Sequence, residues 1–422
     1  MCSPRASVRH YPVFSDAQQQ ICGIDIFHLK RVLLTIIIPL LLETRTLMGI
    51  LRILLAVCVF CNHSQPIGNL RWLGGDLAVE RFFVVSGFYM QLVLGTRYTK
   101  TKLGRLWVVK FYEARYFRLL PTYVLGGLLV VGAAFLRTDL APFPIWRFVW
   151  NLPNTIGNLL FKFFLCLTNT SIFLQDWTMF FSVSNGQIKL TRNFWWSEKL
   201  LFEGLAIPQA WSLGTELSFY LVAPYLLNLR SRWLILCTCC SLVVKIIVVR
   251  ALHLGDPWTY RFFPFELGYF LLGALAFRYR GSFDHLVPER AEKYWYCVYP
   301  LVIGFATVRV PVPLPTLTYP VALACALPFI FKLTARIKVD RLTGELSYPF
   351  YIFHLFALTL AGFITREWWL GAKEAMVAWV GLGLTLVLSA IGLALEVRFV
   401  EPWRTRLAER GAFRLPVKAK AA

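Results

Sequence analysis

The stretch Met48-GILRILLAVCVFCN-His63 decides the class of this protein. It has the length and apolar content of a helix, yet it carries Arg52 and His63. These two lie eleven residues apart. At about 1.5 Å and 100° per residue they fall on nearly one helix face, roughly 16 Å apart along the axis. An ionisable residue inside a membrane helix costs roughly 2.5–3.5 kcal/mol on insertion scales, so its retention argues for a function. Snorkelling of Arg52 to the interface, or a satisfied polar contact for His63 at the helix end, explains one residue each. Neither explains the shared face.

The rest of the chain supports a membrane setting. Of 422 residues, 57% are hydrophobic and only 16% charged, and the mean hydropathy is +0.58. That composition excludes an ordinary soluble enzyme and predicts an all-α polytopic membrane protein. Lys and Arg outnumber Asp and Glu by 44 to 23, but they sit in short blocks between apolar runs. This is the positive-inside distribution of a membrane protein rather than a nucleic-acid footprint. Ten cysteines are present. Cys58, Cys61, Cys166, Cys237, Cys239, Cys240, Cys297 and Cys325 lie in or beside apolar segments, which reads as buried free thiols.

Apolar runs predict spans near 49–66, 77–96, 118–136, 206–227, 233–252, 262–278, 295–310, 317–333, 347–365 and 376–397. The segment from Arg97 to Arg118 is strongly basic, as are Arg230 with Arg232, the stretch Lys332–Arg341 and the tail beyond Arg398. These blocks are assigned to the cytoplasm. An odd number of crossings must then separate Arg118 from Arg230, so 156–174 is read as interfacial or re-entrant. The result is about ten transmembrane helices with both termini cytoplasmic. Residues 137–205 become a long external region with Trp177, Trp195 and Trp196 suited to a membrane interface. Residues 1–47 form an N-terminal extension of unclear role, because the run Val32–Leu42 is too short to span. Residues 48–403 form the membrane domain and 404–422 a basic cytoplasmic tail.

Four further stretches place polar groups where a bare scaffold would avoid them. Glu80, Arg81 and the pair Ser86-Gly87 lie in or at the entry of the second span, where small residues also favour close helix packing. In Arg115-Tyr-Phe-Arg118-Leu-Leu-Pro121, two arginines stand one turn apart at a cytoplasmic helix start. Topology explains their charge, and guanidinium groups also suit bidentate phosphate contacts. Trp211-Ser212-Leu-Gly-Thr-Glu216 sets a hydroxyl and a carboxylate on one helix face. Ser347-Tyr348-Pro-Phe-Tyr-Ile-Phe-His354 supplies a second intramembrane histidine, as much a structural polar contact as a functional one. No zinc spacing, P-loop or Rossmann fingerprint is present, and no metal is assigned.

Taken together, Arg52-x10-His63, Leu77-AVE-x-FFVVSGF, Arg118-LLPTY, Trp211-SLGTE-x-x-FY and Ser347-YPFYIFH resemble the integral-membrane acyltransferase family 3 in order and spacing. Glu401-Pro402 fits that family's usual ending. The resemblance covers about 49–403. It departs at Glu80, where the family usually has Asp, and at Arg81, a normally apolar place. It implies an O-acyltransferase that moves an acyl group, acetyl by default, from cytoplasmic acyl-CoA to a hydroxyl of a cell-surface or exported carbohydrate or glycolipid. The setting implied is the bacterial inner membrane, with acyl-CoA as co-substrate and no permanently bound cofactor. Histidine chemistry then assigns His63 as base or acyl carrier, with Arg52 orienting the donor or stabilising developing charge and Glu216 also in the catalytic set. Arg115 and Arg118 are candidates for the donor phosphates. Ser212, Trp211, Glu80 and Ser86 are candidates for the acceptor, Glu80 alternatively pairing Arg81 or tuning His63. His354 and Tyr348 are further candidates. A transporter or flippase of a lipid-linked sugar is the alternative on composition, and a haem protein with His63 and His354 as axial ligands is a more remote one.

Met48 is expected to begin the functional core. A chain started at Met48 should keep its acyl transfer per molecule when assayed beside the longer chain.

Overall fold

The computed structural model describes residues 48–68, 72–137, 151–284, 292–334, 338–368 and 374–403. The expectations for 1–47 and for the tail 404–422 lie outside these residues. Among the described residues the structure is helical apart from one hairpin and an isolated bridge between Trp72 and Val308. Its helices are α1 (Gly49–His63), α2 (Gly75–Thr96), the short α3 (Lys100–Leu103), α4 (Trp107–Leu136), α5 (Ile156–Ser171) and α6 (Trp211–Leu226). There follow α7 (Ser231–Ala251), α8 (Phe263–Arg278), the short α9 (Arg280–Asp284), α10 (Glu292–Thr307), α11 (Pro315–Thr334), α12 (Lys338–Trp368) and α13 (Glu374–Leu395). Among the described residues, six are long and apolar enough to cross a membrane: α2, α4, α7, α11, α12 and α13. This is a polytopic α-helical membrane protein. Each predicted span falls on a helix, although α1, α6, α8 and α10 are shorter than the six.

Two helices begin well before their apolar runs. The span expected at 118–136 starts at Trp107, so Arg115 and Arg118 lie more than two turns inside α4 rather than at its start. Lys110 pairs with Glu113 at 2.7 Å in this added portion, an i,i+3 contact that supports exposed helix. The span expected at 347–365 starts at Lys338. Apolarity marks the part of a helix in hydrocarbon, not the polar turns that extend from it.

Helix α5 is sixteen residues long, about 24 Å and short of a bilayer core. Its buried face mixes polar side chains with Phe161 and Leu165. Asn158, Lys162 and Thr168 are buried, while Ile156, Leu160 and Phe163 are exposed. Lys162 donates to the Leu152 carbonyl and to Asn154 Oδ1, both at 3.1 Å. Strands β1 (Phe181–Ser184) and β2 (Gln187–Leu190) form an antiparallel hairpin that the apolar pattern does not reveal. Its signal is Asn185-Gly186, whose φ values of 50° and 70° suit a tight two-residue turn. Trp177, Trp195 and Trp196 are exposed in this region as expected. The cysteines need a correction. Those resolved as thiols are free, but only Cys58 and Cys61 are buried; Cys166, Cys239, Cys240 and Cys325 face outward, where lipid suits them as well as a core does.

Helix contacts without clearance set the frame. A Cβ on Gly87 of α2 would meet the Phe270 carbonyl oxygen of α8 at 1.8 Å, and one on Gly273 of α8 would meet the Val84 carbonyl oxygen at 1.8 Å. Small-residue contacts of this kind drive helix association in lipid, where no hydrophobic term favours it. Between α1 and α12 a Cβ on Gly49 would meet the Asp340 carbonyl oxygen at 1.7 Å. The same Asp340 accepts the Ile50 amide through Oδ1 at 2.9 Å, and Thr334 Oγ1 accepts the Met48 amide at 3.1 Å. Unpaired amides at the start of α1 are thus capped from other helices.

Gly49→Ala should force α1 and α12 apart and cost about 1–3 kcal/mol, as other overpacked contacts do. A lowered Tm of the detergent-solubilised protein would show it.

Candidate functional site

The close approach of α1 to α12 brings two histidines of separate motifs together. His63, at the far end of α1, lies with its ring centroid 5.4 Å from that of His354 on α12. His354 is fully buried. Its Nδ1 lies 2.7 Å from the Tyr351 carbonyl oxygen, an acceptor, so Nδ1 carries the proton and Nε2 is the basic nitrogen. That Nε2 is buried without a hydrogen-bond partner among the described residues. His63 is exposed and opens onto a cleft of about 820 Å³ lined also by Asn62, Gln65, Thr359, Arg366 and Glu374. The pair therefore joins an imidazole at the cleft surface and a fully buried one.

One turn back along α12, Tyr351 connects the pair to the Trp211 motif. Tyr351 Oη and Ser212 Oγ lie 2.7 Å apart, and the Tyr351 hydroxyl donates to the Gln209 carbonyl at 2.7 Å. Gln209 Nε2 donates in turn to the Ile352 carbonyl at 2.7 Å, clamping the entry of α6 to α12. Trp211 is buried and carries the guanidinium of Arg261 at 4.2 Å from its ring centroid. Arg261 also stacks on Tyr260 at 4.4 Å, and its Nε lies 2.7 Å from Asp256 Oδ1.

Glu216 lies one turn further along α6. Its Oε1 accepts the Ser86 and Tyr220 hydroxyls, each at 2.5 Å. The structure thus joins Ser86 and Glu216, which are 130 residues apart in sequence. Beyond them, at the end of the bundle that carries the basic blocks, Arg52 lies 6.0 Å from the Tyr89 ring and Arg115 5.9 Å from that of Tyr98. Arg118 pairs with Glu345 at 3.4 Å and feels the negative charge of Glu396 as well. Tyr348 donates to the Leu119 carbonyl at 2.6 Å, tying α12 to α4. The sequence-predicted residues therefore divide into an arginine cluster at the basic end and a histidine pair at the other. Arg52 and His63 share a helix face without sharing a centre.

Glu80 is placed elsewhere. Lys245 Nζ lies 2.8 Å from Glu80 Oε1 and 2.9 Å from Glu266 Oε1, and it donates to the Tyr269 hydroxyl at 3.1 Å. All are buried. Of the alternatives for Glu80, pairing with Arg81 is not what forms. Arg81 instead stacks on the Tyr319 ring at 4.1 Å, fully buried.

Sequence reasoning missed Lys245, Glu266, Asp176 and Arg261. The first two interrupt apolar runs, a signal that was available. Arg261 stands outside the basic blocks, and that misplacement under the positive-inside rule was its signal. Asp176 is buried against Gly214 of α6, whose Cβ would meet Asp176 Oδ1 at 2.7 Å. Burial raises its carboxyl to about 7, outweighing the backbone N–H groups of Asp176 and Trp177 and the charge of Arg261.

The model of the acyltransferase family 3, described as an acyltransferase domain, matches residues 48–394. The chain belongs to that family. It is an acyltransferase, and a multi-pass membrane one. The peptidoglycan O-acetyltransferase OatA of Listeria monocytogenes serovar 1/2a is 26% identical over 189 residues, a match covering 43% of this chain and 24% of that protein. The matched part is thus under a quarter of that relative's length. No solved structure is significantly similar to the chain.

Lys245→Ala should strip the cation from two buried carboxylates. Breaking a buried ion network in this way costs about 3–5 kcal/mol, which a Tm measurement would register, whereas a surface substitution such as Lys110→Ala should leave Tm nearly unchanged.

Proposed function

We propose that the protein transfers an acyl group, acetyl by default, from acyl-CoA to a hydroxyl of a cell-surface or exported glycan. The observation that carries this reading is the meeting of His63, which lines the cleft, with the buried His354 behind it, within an acyltransferase domain. His63 faces the cleft and takes the proton of the acceptor hydroxyl. His354, with its tautomer set by the Tyr351 carbonyl, offers a second basic nitrogen beside it. The acyl donor brings phosphates, and Arg115 and Arg118 at the basic end suit them. Arg52, on the face that leads from those arginines to His63, orients the acyl-bearing arm. The cleft offers a sugar both hydrogen-bonding side chains and apolar surface from Leu355, Leu358 and Phe363, and the named activity of the Listeria relative supports O-acetylation of a glycan.

On this reading the basic end faces the cytoplasm, where acyl-CoA is available, and the cleft faces outward. Both termini are then cytoplasmic, about ten helices cross, and the membrane is the bacterial inner membrane. The chain from 48 to 403 forms the catalytic domain, 1–47 an extension and 404–422 a basic tail.

The test is mass spectrometry of surface and exported glycans from cells with the wild-type protein, a deletion and His63→Ala. An O-acyl increment should be present with the wild type and fall about 100-fold or more in the variant, the lower range for loss of a positioned acid–base group. Loss of the whole glycan on deletion, with unchanged acyl content per sugar, would favour transport instead. Full acylation by His63→Ala at normal protein level would remove His63 from its role.

A further inference from the structure

Resting on that reading, we infer that Arg261 is the cation that stabilises the oxyanion formed at the histidine pair. Arg52 is poorly placed for this task, since eleven residues of helix set it about 16 Å from His63 along the axis. Arg261 belongs to the histidine end. Its guanidinium stacks on Trp211, the neighbour of the Ser212 whose hydroxyl meets Tyr351. The Tyr351 ring lies 5.8 Å from that of His354. The charge of Arg261 is felt at both His63 and Tyr351.

Among the described residues, the side chain is paired along one edge and left with one free donor on the other. Arg261 is 7% exposed. Asp256 takes two of its nitrogens, Nε at 2.7 Å and Nη2 at 3.1 Å, and the rings of Trp211 and Tyr260 flank it. Nη1 is buried and bonded to no described residue. A buried N–H without an acceptor carries an uncompensated desolvation penalty, which an acceptor arriving during the reaction would remove. Such a donor, fixed before charge develops, is the arrangement that lowers a barrier most effectively.

The step balances as follows. The acceptor oxygen bonds to the carbonyl carbon of the acyl thioester, its proton passes to His63, and the carbonyl π pair moves onto oxygen. Arg261 Nη1–H donates to that oxyanion. The tetrahedral centre collapses by breaking the carbon–sulfur bond, and the thiolate leaves with the bonding pair and receives the proton held by His63. One ester and one thiol result, with no redox change.

The test uses membrane vesicles from cells producing the full chain, with acetyl-CoA labelled in the acyl group, and measures the initial rate of label transfer to glycan. Arg261→Lys keeps a cation for Asp256 but loses the fork, and its kcat should fall at least 10-fold while the donor KM stays within about twofold; loss of one oxyanion donor typically costs 10²–10³ in kcat. Arg261→Ala should lose about 100-fold or more, and added guanidinium ion should restore part of its rate, which a purely structural role would not allow. If the Ala variant does not accumulate, the Lys variant decides. A Lys variant within threefold of wild type, a raised donor KM with unchanged kcat, or an accumulated Ala variant that guanidinium does not rescue would overturn the inference alone. Absence of label transfer by the wild type would overturn the underlying reading and the inference with it.

Discussion

Everything at the candidate site depends on the absence of space between α1 and α12. Gly49 touches the Asp340 carbonyl, and the Asp340 carboxylate receives the Ile50 amide. The contact fixes two coordinates at once. Backbone proximity sets the distance between the helices, and the cap sets the height and rotation of α1 against α12. A helix is stiff over its length, so a register fixed at Ile50 is carried to His63, about 20 Å further along. The histidine pair is a remote result of a backbone contact near the opposite end.

The polar residues of the bundle divide by the work their surroundings permit. Lys245 holds one oxygen each of Glu80 and Glu266 inside the protein, and desolvation makes each of the three costly without the others. His354 and Arg261 stand at the histidine end, and each retains a buried nitrogen bonded to no described residue. Buried polar groups are normally paired, so an unpaired one next to the histidine pair is informative. The arginine cluster at the basic end forms a third class, partly offset by Glu345 and partly buried against tyrosines.

The sequence made the helical membrane class legible because hydrocarbon imposes a severe filter on composition, and the predicted spans fall on helices for that reason. Helix ends were less legible. Trp107–Phe117 and Lys338–Leu346 extend α4 and α12 through sequence in which charged residues break up the apolar run, and the helix persists past them. The motif residues could be chosen from sequence, but not their partners. Nothing in the spacing of Ser86 and Glu216 says that they touch, and Glu80 beside Arg81 suggested a local pair where a lysine 165 residues away takes the carboxylate. Arg261 escaped notice because it follows Asp256-Pro-Trp in a loop and belongs to none of the quoted motifs; its surroundings come from α6 and from its own loop.

The separation of Glu80 from Lys245 has a consequence for how the protein is made. Ribosomes add about 5–20 residues per second, so Lys245 follows Glu80 by roughly 8–33 s at that pace. Throughout that interval α2 holds an acid and an arginine without the lysine that later satisfies the acid, at an insertion cost of about 2.5–3.5 kcal/mol for each buried charge. The second helix therefore enters the bilayer as a provisional resident, sheltered by the insertion machinery or resting near the headgroups. It becomes a core element when α7 and α8 arrive. Biogenesis of this fold runs out of chain order, with an early helix completed by later ones.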